Sequence, residues 1–232
     1  MQFRVCKFLA MRVLNFNRSS LHNFTKITAG VSAQDTLSEL SEAFKSANIP
    51  EPVLSAELIV GELFGIRNLD ILPREIENSQ LSVYQSEQLF KMAQCRLARM
   101  PIQYILGYWD FREIRLKMRP PVFIPRSETE ELVGLVLKHL SCINESNIEL
   151  LEIGCGSGAI SLSLMKEFRT KSSSVNILAV DQSGSACNLT LENALKIELS
   201  NVNGKMENAI GGMSNLPTCT LNSNLCSINN VP

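Results

Sequence analysis

Between residues 148 and 168 the chain runs from a short apolar segment into a turn with glycine at every second position. An apolar stretch with helical spacing follows. Gly154, Gly156 and Gly158 enclose Cys155 and Ser157, and Glu152 stands two residues ahead of the first glycine. A buried strand passing through such a turn into a helix points to an open α/β sheet. It is the layout of the crevice in which such sheets seat a nucleotide-like cofactor. Glycines let the backbone turn sharply and approach a ligand with no Cβ in the way. The plain alternative is an ordinary strand-to-helix turn with a chance acid at each strand end, but the motif in this setting is far more specific than the motif alone.

The acids discriminate between ligands. Gly154, Gly156 and Ala159 also fit the relaxed dinucleotide pattern, so NAD and FAD are the competing reading. Glu152 opposes it, because a carboxylate beside the turn repels a pyrophosphate seated at the helix N-terminus. It attracts a cation instead, such as the ammonium or sulfonium of S-adenosylmethionine. Asp181 ends the next apolar run, residues 174–180, and a carboxylate at that strand tip can accept both ribose hydroxyls. The two sites together describe an adenosylmethionine pocket.

The 232 residues allow one large domain or two modest ones, and 45% apolar composition is enough for a core. A net charge of −1 draws the chain toward neither nucleic acid nor an anionic membrane. With no apolar run near the roughly 20 residues that span a bilayer, a soluble protein is expected. Residues 1–34 carry Arg4, Lys7, Arg12, Arg18 and Lys26 among apolar residues, with no acid. That pattern reads as a mitochondrial presequence; a disordered basic tail is the alternative. Seven cysteines without C-x-x-C spacing and two histidines suggest neither a zinc site nor a disulfide framework. Cys155 has no sequence-near His or Asp partner and is read as a small filler of the turn.

From about Asp35 to Met100 three amphipathic helices are predicted. Thr36 with Glu39 forms a capping-box signal ahead of Leu37, Leu40 and Phe44. Pro50 and Pro52 break the chain before a second stripe, and the third helix carries Leu81, Leu89, Met92 and Leu97. After Pro101 the alternation of Ile114, Leu116 and Met118 with basic residues predicts a β-hairpin joining two domains. Ser127 with Glu130 gives a second capping-box signal, opening a helix before the α/β part.

Three segments in order then carry a resemblance. Residues 101–104 read Pro-Ile-Gln-Tyr, with Gly107, Trp109 and Phe111 after them. Residues 123–130 read Phe-Ile-Pro-Arg-Ser-Glu-Thr-Glu, and residues 152–159 read Glu-Ile-Gly-Cys-Gly-Ser-Gly-Ala. Together they resemble successive signatures of the HemK/PrmC family. Those adenosylmethionine-dependent methyltransferases modify the glutamine of the Gly-Gly-Gln loop in peptide-chain release factors. The likeness covers about residues 35–199; Ser127 stands where members of the family usually carry proline.

With the presequence read over 1–34, the resemblance implies a release-factor-binding helical domain over 35–100. A hairpin linker over 101–126 and a class I, Rossmann-like methyltransferase domain over 127–199 follow. It implies that Gly154, Cys155, Gly156, Ser157 and Gly158 wrap the methionine half of S-adenosyl-L-methionine and that Asp181 holds the ribose. Glu152 would lie near the ammonium, and Phe123 in the loop 123–126 would close one wall. The implied setting is a monomer in the mitochondrial matrix with a mitochondrial release factor as partner, and no direct nucleic acid or membrane.

The family positions its substrate amide with an Asn-Pro-Pro-Tyr loop, which this sequence lacks; the prolines after 125 are Pro217 and Pro232. Residues 200–232 are Asn-rich, with Lys205 and Glu207 as their charged residues and no sustained period. They are expected to be a disordered, non-family ending after two parallel strands, leaving the methyltransferase domain incomplete. Two functions compete on this reading: a mitochondrial release-factor glutamine methyltransferase, and a non-catalytic form that binds release factor or cofactor only.

Overall fold

The computed structural model describes residues 29–66, 78–143, 147–169, 174–197 and 218–222. The chain divides into two compact units, Met1–Leu106 and Gly107–Pro232. Most of the expected presequence, residues 1–28, lies outside the described residues.

The first unit is helical. It contains α1 (Ala33–Ser46), α2 (Pro52–Phe64), α3 (Val83–Leu97) and a short α4 (Ile102–Leu106). The fold starts before residue 35, which corrects the expected boundary. Gly30 N–H donates to the Leu81 carbonyl (3.0 Å) and Leu81 N–H to the Val31 carbonyl (2.9 Å), which sets Ser32 at the head of α1. The N-cap is therefore Ser32, whose Oγ accepts the Asp35 N–H (3.1 Å), and not Thr36. Thr36 is already helical and donates its hydroxyl back to the Ser32 carbonyl (2.7 Å).

Pro52 opens α2, where a missing N–H costs nothing. A full capping box of Ser82 and Gln85 opens α3. Leu40, Phe44, Ile59 and Leu89 form a closed core from the three predicted stripes. Buried Arg96 crosses it, donating to Ser55 Oγ (3.0 Å) and to the Pro50 (2.8 Å) and Met100 (3.1 Å) carbonyls. Helix α4 occupies part of the expected linker.

The second unit mixes strands and helices. Strands β1 (Tyr108–Phe111) and β2 (Ile114–Lys117) form the predicted hairpin, with Phe111 opposite Ile114 across Arg112 and Glu113. The alternation has the expected consequence: Ile114, Leu116 and Met118 are buried. The hairpin is not a free linker, however. Arg112 donates to the Glu130 carbonyl on α5 (Glu128–Leu140; 3.2 Å). Lys166 on α6 (Ala159–Arg169) donates to the Glu113 carbonyl (2.7 Å), so the hairpin packs as part of this unit.

The second expected capping box also fails. Ser127 has helical dihedrals (φ −58°, ψ −38°) and no side-chain cap bond, whereas an N-cap side chain reaches N3 from the extended region. Glu128, Glu130 and Glu131 instead place negative charge at the positive end of α5.

Strands β3 (Asn147–Ile153) and β4 (Ser174–Val180) are parallel, Ile148 facing Val175 and Ile153 facing Val180, with α6 between them in sequence and α7 (Gly184–Lys196) after β4. A third strand, β5 (Thr218–Asn222), runs antiparallel along the other edge of β4. This corrects the expectation of a strandless ending. An open β4 edge presents unpaired backbone groups, and the Thr-Cys-Thr-Leu-Asn segment has the propensity to pair with them. Residues 200–217 and 223–232 of that ending lie outside the described residues. Among the described residues no helix is long and apolar enough to cross a membrane.

Candidate functional site at the glycine turn

The turn between β3 and α6 is built on three left-handed glycines: Gly154 (φ 85°), Gly156 (φ 57°) and Gly158 (φ 81°). Side chains at such dihedrals are strained, which is why the glycines alternate here. Two N–H groups, from Gly154 (2.7 Å) and Cys155 (3.1 Å), donate to the Val180 carbonyl and pin the turn to the end of β4. The glycines differ in what surrounds them. A Cβ at Gly154 or Gly156 would meet open space, whereas one at Gly158 would lie 2.9 Å from both Leu162 and Thr190. Gly158 is thus needed for close helix packing, and Gly154 and Gly156 leave the backbone of the turn uncluttered.

Asp181 faces that backbone. Its Oδ2 accepts the Gly156 N–H (3.0 Å) and its Oδ1 the Ser183 N–H (2.9 Å), which fixes the carboxylate at the tip of β4. Glu152 is turned onto the first turn of α6, where Oε2 accepts the Ser161 N–H (3.2 Å) and the Ser161 hydroxyl. Burial pushes the Glu152 carboxyl up to about 7; the Ser161 bond opposes this and the charge of Asp181 adds to it. Glu152 senses the charge of Asp181, and a cation beside the pair would favour its ionised form, whereas a pyrophosphate would meet the Asp181 carboxylate.

The structure brings Glu152, Gly154, Cys155, Gly156, Ser157, Gly158 and Asp181 together. The Cys155 thiol is buried, receives the Thr190 hydroxyl (3.5 Å), and is pushed up to about 12 by burial, so it stays a thiol. The Ser157 side chain is also buried, and its carbonyl accepts from Asn193 Nδ2 (2.9 Å). Phe123 stands apart with its residue 89% exposed, while its neighbour Val122 packs against Ala186 and Leu189 of α7.

Sequence reasoning missed Ser161, Thr190 and Asn193. The last two had a signal: Ala186, Leu189, Thr190, Asn193 and Ala194 are buried at helical spacing on α7. Two polar side chains on a core-facing stripe require partners.

Residues 35–107 match the family model described as the PrmC N-terminal domain. The human MTRF1L release factor glutamine methyltransferase is 39% identical over 173 residues, 72% of this chain and 50% of that protein. The release factor glutamine methyltransferase of Fusobacterium nucleatum is 32% identical over 180 residues, 76% of this chain and 48% of that protein. That of Streptococcus pneumoniae is 45% identical over 97 residues, 42% of this chain and 32% of that protein. The chain spans about half the length of the first two relatives. A domain match and an extended identity that runs beyond it agree on one assignment: the chain belongs to the HemK/PrmC family, and the relatives it is similar to are release factor glutamine methyltransferases.

Proposed function

We propose that this protein takes part in S-adenosylmethionine-dependent methylation of the Gly-Gly-Gln glutamine of a mitochondrial peptide-chain release factor, in the matrix. The first unit docks the release factor, and the second is the start of a class I methyltransferase domain. The observation that carries the cofactor reading is the pairing of an open glycine turn with a fixed carboxylate, Asp181 bonded to Gly156 N–H. The residues fit the group: Gly154 and Gly156 leave room for its methionine half, Asp181 offers acceptors to its ribose, and Glu152 is a carboxyl that the cofactor's cationic end would draw toward its ionised form. Phe123 is proposed to close over the ligand.

When bound, the cofactor supplies an electrophilic methyl group on a sulfonium. The chain's own residues bind and orient it, and orientation supplies much of the rate in such a displacement. A second reading is a form that binds release factor or cofactor without transferring methyl groups; the 232 residues contain no Asn-Pro-Pro-Tyr segment.

Calorimetry on the full chain with adenosylmethionine tests the first reading. Gly156→Val and Asp181→Ala are each expected to weaken binding tenfold or more, and NAD is expected not to compete. Unchanged affinity in both variants would remove the pocket assignment. Adding a Gly-Gly-Gln release factor and following a labelled methyl group then separates the two readings, since transfer excludes the non-catalytic form.

A further inference from the structure

We infer that Asn193 is a positioning residue that couples the glycine turn to the exit of the hairpin, so that ordering one orders the other. Its side chain is fully buried on α7. The amide oxygen accepts the Lys117 N–H (2.6 Å), and Nδ2 donates both to the Lys117 carbonyl (3.2 Å) and to the Ser157 carbonyl (2.9 Å). Toward β2 the side chain thus behaves as one more peptide unit, pairing with both backbone groups of Lys117 as an adjacent strand would. Toward the turn it spends its second N–H on the carbonyl between Gly156 and Gly158. Only one orientation of the amide satisfies all three bonds.

The neighbours of Asn193 divide between the two sides. Thr190, one turn back on α7, donates to the Gly156 carbonyl (3.2 Å) and so holds the turn. Glu192 pairs with Lys117 (2.5 Å) and Arg119 (2.6 Å) and so holds the hairpin exit. Asn193 bonds to both. The segment it holds at Lys117 leads through Arg119 to Val122, which packs on α7, and to exposed Phe123. One amide therefore sets the spacing between the glycine turn and the root of the loop that carries Phe123. An aspartate in its place would set a carboxylate oxygen against two carbonyls, and an aliphatic residue would take away the bonds of three backbone groups, the Ser157 carbonyl in buried surroundings and both groups of Lys117 in part-buried ones. In its ligand arm the inference rests on reading the turn as a cofactor cradle; the coupling itself does not.

Amide hydrogen exchange on the full chain tests it, with Asn193→Asp and the neutral, shorter Asn193→Ser. Ile177→Val, a conservative change inside β4, serves as a general loosening control. Without ligand, both Asn193 variants are expected to exchange at least tenfold faster at Gly156 and Gly158 and, together with them, at Lys117. The β4 amides should keep their protection, and Asn193→Ser decides the matter if Asn193→Asp does not fold. Faster exchange at only one segment, at neither, or in step with β4 as in the control would overturn the coupling.

Adenosylmethionine added to the unmodified chain should slow exchange at Lys117 as well as at the turn, and in Asn193→Ser at the turn alone. No protection anywhere on addition would remove the cofactor reading, while the ligand-free comparison still decides the coupling. Equal protection of Lys117 in the variant would overturn the inference with the cofactor reading intact.

Discussion

The two units solve the burial problem differently. In the helical unit three amphipathic faces meet, and Leu40, Phe44, Ile59 and Leu89 are withdrawn from water; Arg96, the one buried charge among that unit's described residues, bonds through all three of its nitrogens. In the α/β unit the face of the sheet bearing Val175, Ile177 and Ala179 is buried. The opposite face leaves Ile153 80%, Leu151 62% and Leu178 42% exposed. In the strand order β3-β4-β5 the glycine-turn strand β3 also stands at an edge. The helical unit resembles a finished core. The α/β unit concentrates its order where the ligand turn is, in hydrogen bonds and buried polar groups, and leaves an apolar face open.

The largest expected effect attacks the finished core. Phe44→Ala empties a fully buried aromatic site and should destabilise the helical unit by about 3–5 kcal/mol. Trp109, the single tryptophan, lies on β1 and reports on the α/β unit. Urea unfolding followed by helical circular dichroism should therefore shift, while the Trp109 fluorescence transition stays in place. A parallel shift of both signals would break the comparison, because the units would then unfold as one.

A smaller effect, confined to the α/β unit, comes from Glu152. Its carboxyl is raised from 4.5 to about 7, so the folded state holds the proton more tightly than the unfolded chain does. The contribution is fully present below about 4.5 and lost as pH rises through about 7. The span corresponds to ~3 kcal/mol at most. The Trp109 transition should move to lower urea between pH 4.5 and 8, and Glu152→Gln should flatten that slope. Glu192 does not interfere in this window. Its bonds to Arg119 first and Lys117 second hold it down to about 2, so its stabilising contribution fades only as pH falls below 4.5. A slope that persists in Glu152→Gln would place the titration elsewhere.

The contrast between the units also explains what could be read from sequence. Helical stripes are local, so Leu40, Phe44 and Leu89 were assignable from spacing alone. The start of α1 was not. Thr36-x-x-Glu39 and Ser32-x-x-Asp35 are both capping patterns, and the pairing of Gly30 and Val31 with residues 79–81 decides between them. Strand β5 was hidden for the same reason, since its partner is the edge of β4, some 40 positions away in register. At the site, the glycines were legible because positive φ demands them. Asn193 stood out only as a polar residue on an apolar stripe; its role did not, because its partners lie 36 and 76 residues away and nothing nearby in the chain announces them.

The smallest expected effect probes the open face of the sheet. Ile153→Thr exchanges one strand-forming, β-branched residue for another and removes little buried apolar area, because Ile153 is mostly in water already. The Trp109 transition should change by no more than about 0.5 kcal/mol, as for surface substitutions generally. Association is where the change should register. A strand that stands at the sheet edge among the described residues, beside a cluster of exposed aliphatic residues, is a template for contact between copies. Making that face more polar should lower concentration-dependent light scattering, while Phe44→Ala should raise it by exposing the other core. If Ile153→Thr instead costs 1 kcal/mol or more, the residue is covered in solution, and the open face that sets the second unit apart from the first does not exist.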